Sequence, residues 1–238
     1  MEDGKNKFRK KVMENLKILY EDNHIIVVVK PVNVPSQGDK TGDIDMLTII
    51  KEYIKEKYNK PGEVYLGLVH RLDRPTGGVM VFAKTSKAAG RLSEQVRDKK
   101  MHKKYLCIVD GKMEKTSGNM RDFLLKNEKT NTSKVVKEGI ENAKEAILDY
   151  KVIKYNEEIN MSVVEVDLLT GRHHQIRVQF ASRSHSLSGD QKYGTRGRGK
   201  QLALWAYSLS FEHPTKKELM EFKEYPEMIG SWKILENK

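Results

Sequence analysis

The chain reads as an α+β protein built on a largely antiparallel sheet flanked by helices and loops. Short β-type runs outnumber helical ones, and they come in pairs joined by turn residues rather than in strict strand–helix alternation. No internal repeat and no interdomain linker is visible in the 238 residues. A basic flexible tail over residues 1–14 and one domain over 15–238 is therefore the simplest organisation.

The elements follow in order. Leu16 to Tyr20 and His24 to Lys30 read as strands split by Glu21-Asp22-Asn23, and Pro31 and Pro35 force an irregular loop. Asp43 to Tyr58 carries apolar residues at 47, 50 and 54, with 46, 49 and 53 beside them. This is an amphipathic helix entered near Thr41 or Asp43. Val64 to Val69 and Val79 to Lys84 are β-type runs flanking a charged turn, and Ser86 caps a helix to about Lys100. Tyr105 to Val109, Ala146 to Tyr155, Met161 to Leu168 and Leu202 to Phe211 are further strands, and Asn119 to Val136 is a polar hairpin. Thr170 caps a short helix through Ser182, Gly189 to Lys200 is a Gly-rich basic loop, and Tyr225 to Leu235 is a terminal helix.

Composition excludes several classes of function. The longest apolar run, Ile25 to Val29, is far short of a membrane span, and the Lys-rich start has no apolar signal core. A single cysteine, Cys107, excludes an internal disulfide and any multi-cysteine zinc site. These features predict a cytoplasmic protein with no membrane partner.

The net charge is +11, and it is unevenly placed. Lys84 to Lys104 holds eight basic and two acidic residues, net +6. Thr170 to Lys200 holds seven basic residues against Asp190 alone, again net +6. The remainder of the chain therefore sums to −1. Charge concentrated in two segments suits a polyanion, and nucleic acid is the obvious one. Two exposed basic faces without a ligand are the alternative on charge alone.

The densest chemistry lies in His70-Arg71-Leu72-Asp73-Arg74-Pro75-Thr76-Gly77-Gly78, a charged turn between two apolar strands. Arg71 and Arg74 would favour an ionised Asp73, and a positioned carboxylate serves as nucleophile or base. A purely structural Asp–Arg turn fits the same pattern. His173 and His174 are adjacent and do not make an i, i+4 metal pair. Gly194 to Lys200 matches neither the Walker nor the dinucleotide spacing and reads as a flexible basic loop. Cys107, Trp205 and Trp232 read as packing residues.

His70-Arg71-Leu72-Asp73-x-x-Thr76-x-Gly78 resembles the signature of the RluA-type pseudouridine synthases. Lys103-x-Tyr105 resembles that family's tyrosine motif, and Leu169-Thr-Gly-Arg-His-His-Gln-Ile-Arg177 its arginine motif. Gly189-Asp190-x-x-Tyr193-Gly194, with Leu202 to Ala206 and His213-Pro214, resembles its C-terminal block. Leu19-Tyr-Glu-Asp and Val29-Lys30-Pro31 fit its opening. The ordered set spans about residues 17 to 222. Gly77 and Trp205 depart from the usual Ser and His, and no S4-type RNA-binding domain is recognisable ahead of the matched region.

The resemblance implies a pseudouridine synthase acting on ribosomal or transfer RNA, a monomer needing neither cofactor nor metal. Asp73 is then the catalytic carboxylate, attacking C1′ or removing the 2′ proton. Tyr105 faces the base, Arg177 pairs with the carboxylate, and Arg71 fills the gap left by the extruded uridine. Leu202 or Leu204 walls the base pocket. Arg74, Lys103, Arg172, His174, Arg196 and Arg198 complete the expected RNA contacts. Two other readings compete: a catalytically idle RNA-binding factor on the same fold, and a base-processing hydrolase pairing Asp73 with Glu94.

Overall fold

The computed structural model describes residues 12–194 and 201–236. They divide into two compact units. The first comprises the chain up to Met101 together with Ser208–Glu224, and the second comprises His102–Tyr207 with the chain from Tyr225 onward. The fold is α+β, and its sheet is mostly antiparallel.

In the first unit β1 (Ile18–Glu21) and β2 (Ile25–Lys30) form the expected hairpin. Its turn is closed by Asp22, whose carboxylate accepts the His24 and Ile25 amides at 2.7 and 2.9 Å. β2 runs antiparallel to β4 (Gly77–Ala83), every residue of which is buried. The expected strand over 64–69 contracts to β3 (Gly67–Leu68), which pairs with β4. The sheet's core gathers Ile25, Val27, Val79 and Val81 against Ala88 and Leu92 of α2 (Ser86–Arg97).

Two helix starts and the N-terminal tail differ from expectation. α1 (Met46–Lys57) is capped by Asp45, which accepts the amides of Leu47 and Thr48 at 2.9 and 3.3 Å. Thr41 and Asp43 are instead engaged with Arg74. The buried stripe is Met46, Ile49, Ile50 and Ile54, all within the apolar set read at 46, 47, 49, 50, 53 and 54. Thr85, not Ser86, caps α2 through the Ala88 amide. The N-terminal tail was expected to be flexible to residue 14, yet 12–14 are helical.

In the second unit the strand order is β5 (His102–Asp110), β9 (Met161–Leu168), β8 (Lys144–Asn156), β6 (Ser117–Asn127) and β7 (Thr132–Val136), each neighbour antiparallel. β6 and β7 are the hairpin expected over 119–136. Leu106, Ile108 and Val163 pack with Ala203, Tyr207, Trp232 and Ile234 on one face. The expected helix from Thr170 forms only as α3 (Gln175–Ala181). Thr170 is tied to β8 instead, its hydroxyl accepting the Ile147 amide at 2.8 Å, and His174 at φ 54° turns the chain into the helix. The terminal helix contracts to a 3₁₀ turn at Gly230–Leu235.

β10 (Leu204–Glu212) carries the chain from the second unit back to the first. There it pairs antiparallel with β11 (Leu219–Lys223), a strand the sequence reading missed. Alternating Met220 and Phe222, both packed on the first unit's core, were the available signal.

Candidate active site

Asp73 lies in a turn that is clamped on both sides. Its carbonyl accepts the Thr76 amide at 3.0 Å. On the N-terminal side the Ser36 hydroxyl accepts the Leu72 amide at 3.1 Å and donates to the Leu72 carbonyl at 2.9 Å. On the C-terminal side the ammonium of Lys30, a fully buried residue, donates to the carbonyls of Arg74, Val34 and Pro31 at 3.1, 2.6 and 2.9 Å. Burial pushes that ammonium down to about 7, while the charge of Asp73 works in the opposite direction. The carboxylate is thus carried on backbone held by two buried polar side chains. Pinned backbone lowers the entropic cost of aiming a reactive group.

The two arginines beside Asp73 part company. Arg71 is exposed. The Arg74 guanidinium turns to Asp43 and Asp39, at 2.6 and 2.7 Å, and to the Thr41 hydroxyl at 2.6 Å. Arg74 therefore braces the 39–43 loop, and the two carboxylates that take up its charge leave it a poor phosphate ligand.

In the second unit Tyr105 is buried on β5, opposite Val166 of β9. Strand alternation places Lys103, Tyr105 and Cys107 on the face opposite Leu106 and Ile108. Leu204 is buried and flanked along the chain by Ala203 and Trp205, which pack with Leu106 and Ile108, so it too belongs to the Tyr105 face. Leu202 is buried one step earlier.

Arg177 is buried on α3 and grips Asp190 with two bonds, Nε to Oδ2 and Nη2 to Oδ1, both 2.7 Å. The same carboxylate accepts the amides of Lys192 and Tyr193 at 2.9 and 3.1 Å, so the 189–194 segment folds around it. Burial alone would raise the Asp190 carboxyl, but the Arg177 bonds outweigh it and hold the group below the usual carboxylate range. Gly189, at φ 76°, admits no other residue here, because a Cβ would run into the Gln201 carbonyl. The Tyr193 ring lies 5.2 Å from the guanidinium carbon.

His174 is a strut in this second unit. It is buried, its Nδ1 bonds the Tyr193 hydroxyl at 2.7 Å, and it stacks on His173 at 3.7 Å. Burial first, then the charge of Arg177, pushes it down to about 2, so it stays neutral. The sequence reading has His174 among the RNA contacts, whereas here it is buried and bonded within the unit. Arg172 is exposed, its Nε on the Glu145 carbonyl at 2.7 Å. Arg196 and Arg198 lie outside the described residues.

A family model described as RNA pseudouridylate synthase matches residues 24–182, well over half of the chain and spanning Asp73, Tyr105 and Arg177. The chain belongs to this family. It is an isomerase acting on RNA, converting uridine to pseudouridine. An uncharacterised RNA pseudouridine synthase of Aquifex aeolicus is 37% identical over 232 residues, covering 91% of this chain and 71% of the relative. A protein of Haemophilus influenzae named ribosomal large subunit pseudouridine synthase C is 32% identical over 227 residues, covering 92% and 67%. The solved structure of human RNA pseudouridylate synthase domain containing 4 covers 96% of this chain and 95% of its own, with a TM-score of 0.77 at 22% identity, a likeness of fold.

Sequence reasoning missed several residues that shape this synthase's candidate site. Ser36 carries no motif signal, and Lys30 stood out only as part of the opening match. The Arg177–Asp190 grip joins two motifs that had been read separately; the lone acid in a basic segment was the clue. Among the described residues no cluster of three or more His, Cys, Asp or Glu is placed to hold a metal ion. No described helix is long and apolar enough to cross a membrane.

Proposed function

We propose that this synthase modifies a uridine of large-subunit ribosomal RNA in the cytoplasm, with Asp73 as the catalytic carboxylate. The observation that carries the reading is the doubly clamped turn, which holds the motif's one carboxylate on backbone fixed by Lys30 and Ser36. A purely structural Asp–Arg turn loses support, because Arg74 is spent on Asp39 and Asp43. The relatives named for the large ribosomal subunit favour ribosomal over transfer RNA.

The reaction breaks the N1–C1′ bond of uridine, turns the uracil and rejoins it through C5. Asp73 attacks C1′ or removes the 2′ proton. Either step needs an ionised carboxylate held in place, and Arg177 is the candidate cation to hold it. Tyr105 offers its ring to the uracil, with Leu204 as an apolar wall on the same strand face. Arg71, exposed beside Asp73, is suited to fill the space an extruded uridine leaves, an extrusion that costs a few kcal/mol. Arg172 and Lys103 are the remaining candidates for the RNA backbone; Arg74 and His174 leave that set.

Carbodiimide mapping of ribosomal RNA from a deletion strain and its parent tests the reading. One pseudouridine should vanish and return with the wild-type gene, but not with Asp73→Asn. An unchanged map, or rescue by Asp73→Asn, overturns it. The idle-binder alternative predicts that unchanged map.

A further inference from the structure

Lys103 and Lys104 are neighbours on β5 with opposite fates. Lys104 is partly exposed and faces Glu165 across the β5–β9 ladder at 3.7 Å. Lys103 points to the other face, is half-buried, and among the described residues has no hydrogen-bond or ion-pair partner. Its ammonium rests against the 171 position, where an added Cβ would lie 3.6 Å from Nζ. Gly171 itself is exposed, so the seat is reachable from solvent. Burial is the sole influence moving this lysine, and it lowers it; no nearby carboxylate opposes the shift. A partly desolvated cation without a counter-charge is unfavourable on its own and gains most from an incoming anion.

The distance to Tyr105 narrows the choice of anion. Side chains two residues apart on a strand stand on one face about 7 Å apart. That is the order of the span between a nucleotide's base and its own phosphate. Resting on the proposed role of Tyr105 at the base, we propose that Lys103 seats a phosphate flanking the target uridine. It thereby positions the extruded nucleotide while the ring of Tyr105 meets the uracil. Lys103 is a positioning residue: it touches the backbone of the substrate and none of the reacting atoms.

The test measures binding, not turnover. A transcript spanning the mapped uridine is bound by the full chain carrying Asp73→Asn, alone or with Lys103→Gln or Lys103→Arg, across a range of salt. Loss of one single-strand phosphate contact should make the log–log salt slope shallower by about 0.7 for Lys103→Gln, with Lys103→Arg close to the parent. As a second arm, leaving Lys103 intact, each phosphate next to the target uridine is replaced by an uncharged methylphosphonate. One replacement should weaken binding to the Lys103 protein and have little further effect on Lys103→Gln. Equal slopes, or methylphosphonate losses that simply add to the Lys103→Gln loss, overturn the phosphate seat. If the RNA map depends on the gene and these measurements fail, the Lys103 proposal alone falls; if the map does not depend on the gene, the parent reading falls as well.

Discussion

Replacing Asp190 by Asn keeps the side chain's shape and removes its charge from beneath Arg177. The oxygen of the new amide can still accept the Lys192 and Tyr193 amides, which places its NH₂ opposite the Arg177 Nε, donor against donor. Both 2.7 Å bonds of the fork lose their charge, and one loses its acceptor. Hydrogen bonds to charged groups contribute about 1.5–3 kcal/mol each, and removing one partner of a buried pair costs about 3–5 kcal/mol. We expect a loss of about 3–5 kcal/mol in urea unfolding followed by circular dichroism. For a chain of this size that corresponds to a fall in Tm of about 6–20 °C. Turnover per folded molecule, measured well below Tm, should also fall, since Arg177 loses the fork that fixes its orientation. A stability loss under about 1 kcal/mol together with normal turnover would show that the pair neither anchors the 189–194 segment nor orients the arginine.

Two further predictions concern the first unit. Lys30→Met leaves the Arg74, Val34 and Pro31 carbonyls without their donor, each at a cost of about 1–3 kcal/mol, partly offset by no longer burying a charge. We expect a net loss of about 2–4 kcal/mol and a fall in kcat larger than the unfolded fraction explains. Wild-type kcat at temperatures where the variant is fully folded would refute the clamp. Glu21 is the second case. Burial would raise its carboxyl, yet hydrogen bonds from Lys57, Lys84, Tyr58 and Tyr53 outweigh it and bring the group from 4.5 to about 2. Its contribution to stability is therefore complete above about 4.5 and is lost as pH falls toward 2. Glu21→Gln should flatten the stability–pH curve across that window, and an unaltered curve would remove Glu21 as an acid-labile anchor.

Much of this protein was legible in one dimension. The α+β class, the 119–136 hairpin and the strand at Met161–Leu168 follow from alternation and turn chemistry, which act over a few residues. Asp73, Tyr105 and Arg177 stand out because their motifs are local and ordered along the chain. Capping was less legible. Thr41, Asp43 and Asp45 are equally good caps in sequence, and the choice was made by Arg74, 31 residues away, which draws Asp43 to itself. His174 reads as an RNA contact, and only its packing beside Tyr193 and Arg177 makes it a neutral strut. Lys30, Ser36 and Asp190 each have a partner far along the chain, 44, 36 and 13 residues distant, and no periodicity reports such pairings. Sequence alone determined the family and which residues are candidates for its chemistry, because both depend on residue type and local order. Only the tertiary structure decided which charges are spent on holding the molecule together and which stay available, because burial and long-range pairing set the state of each group.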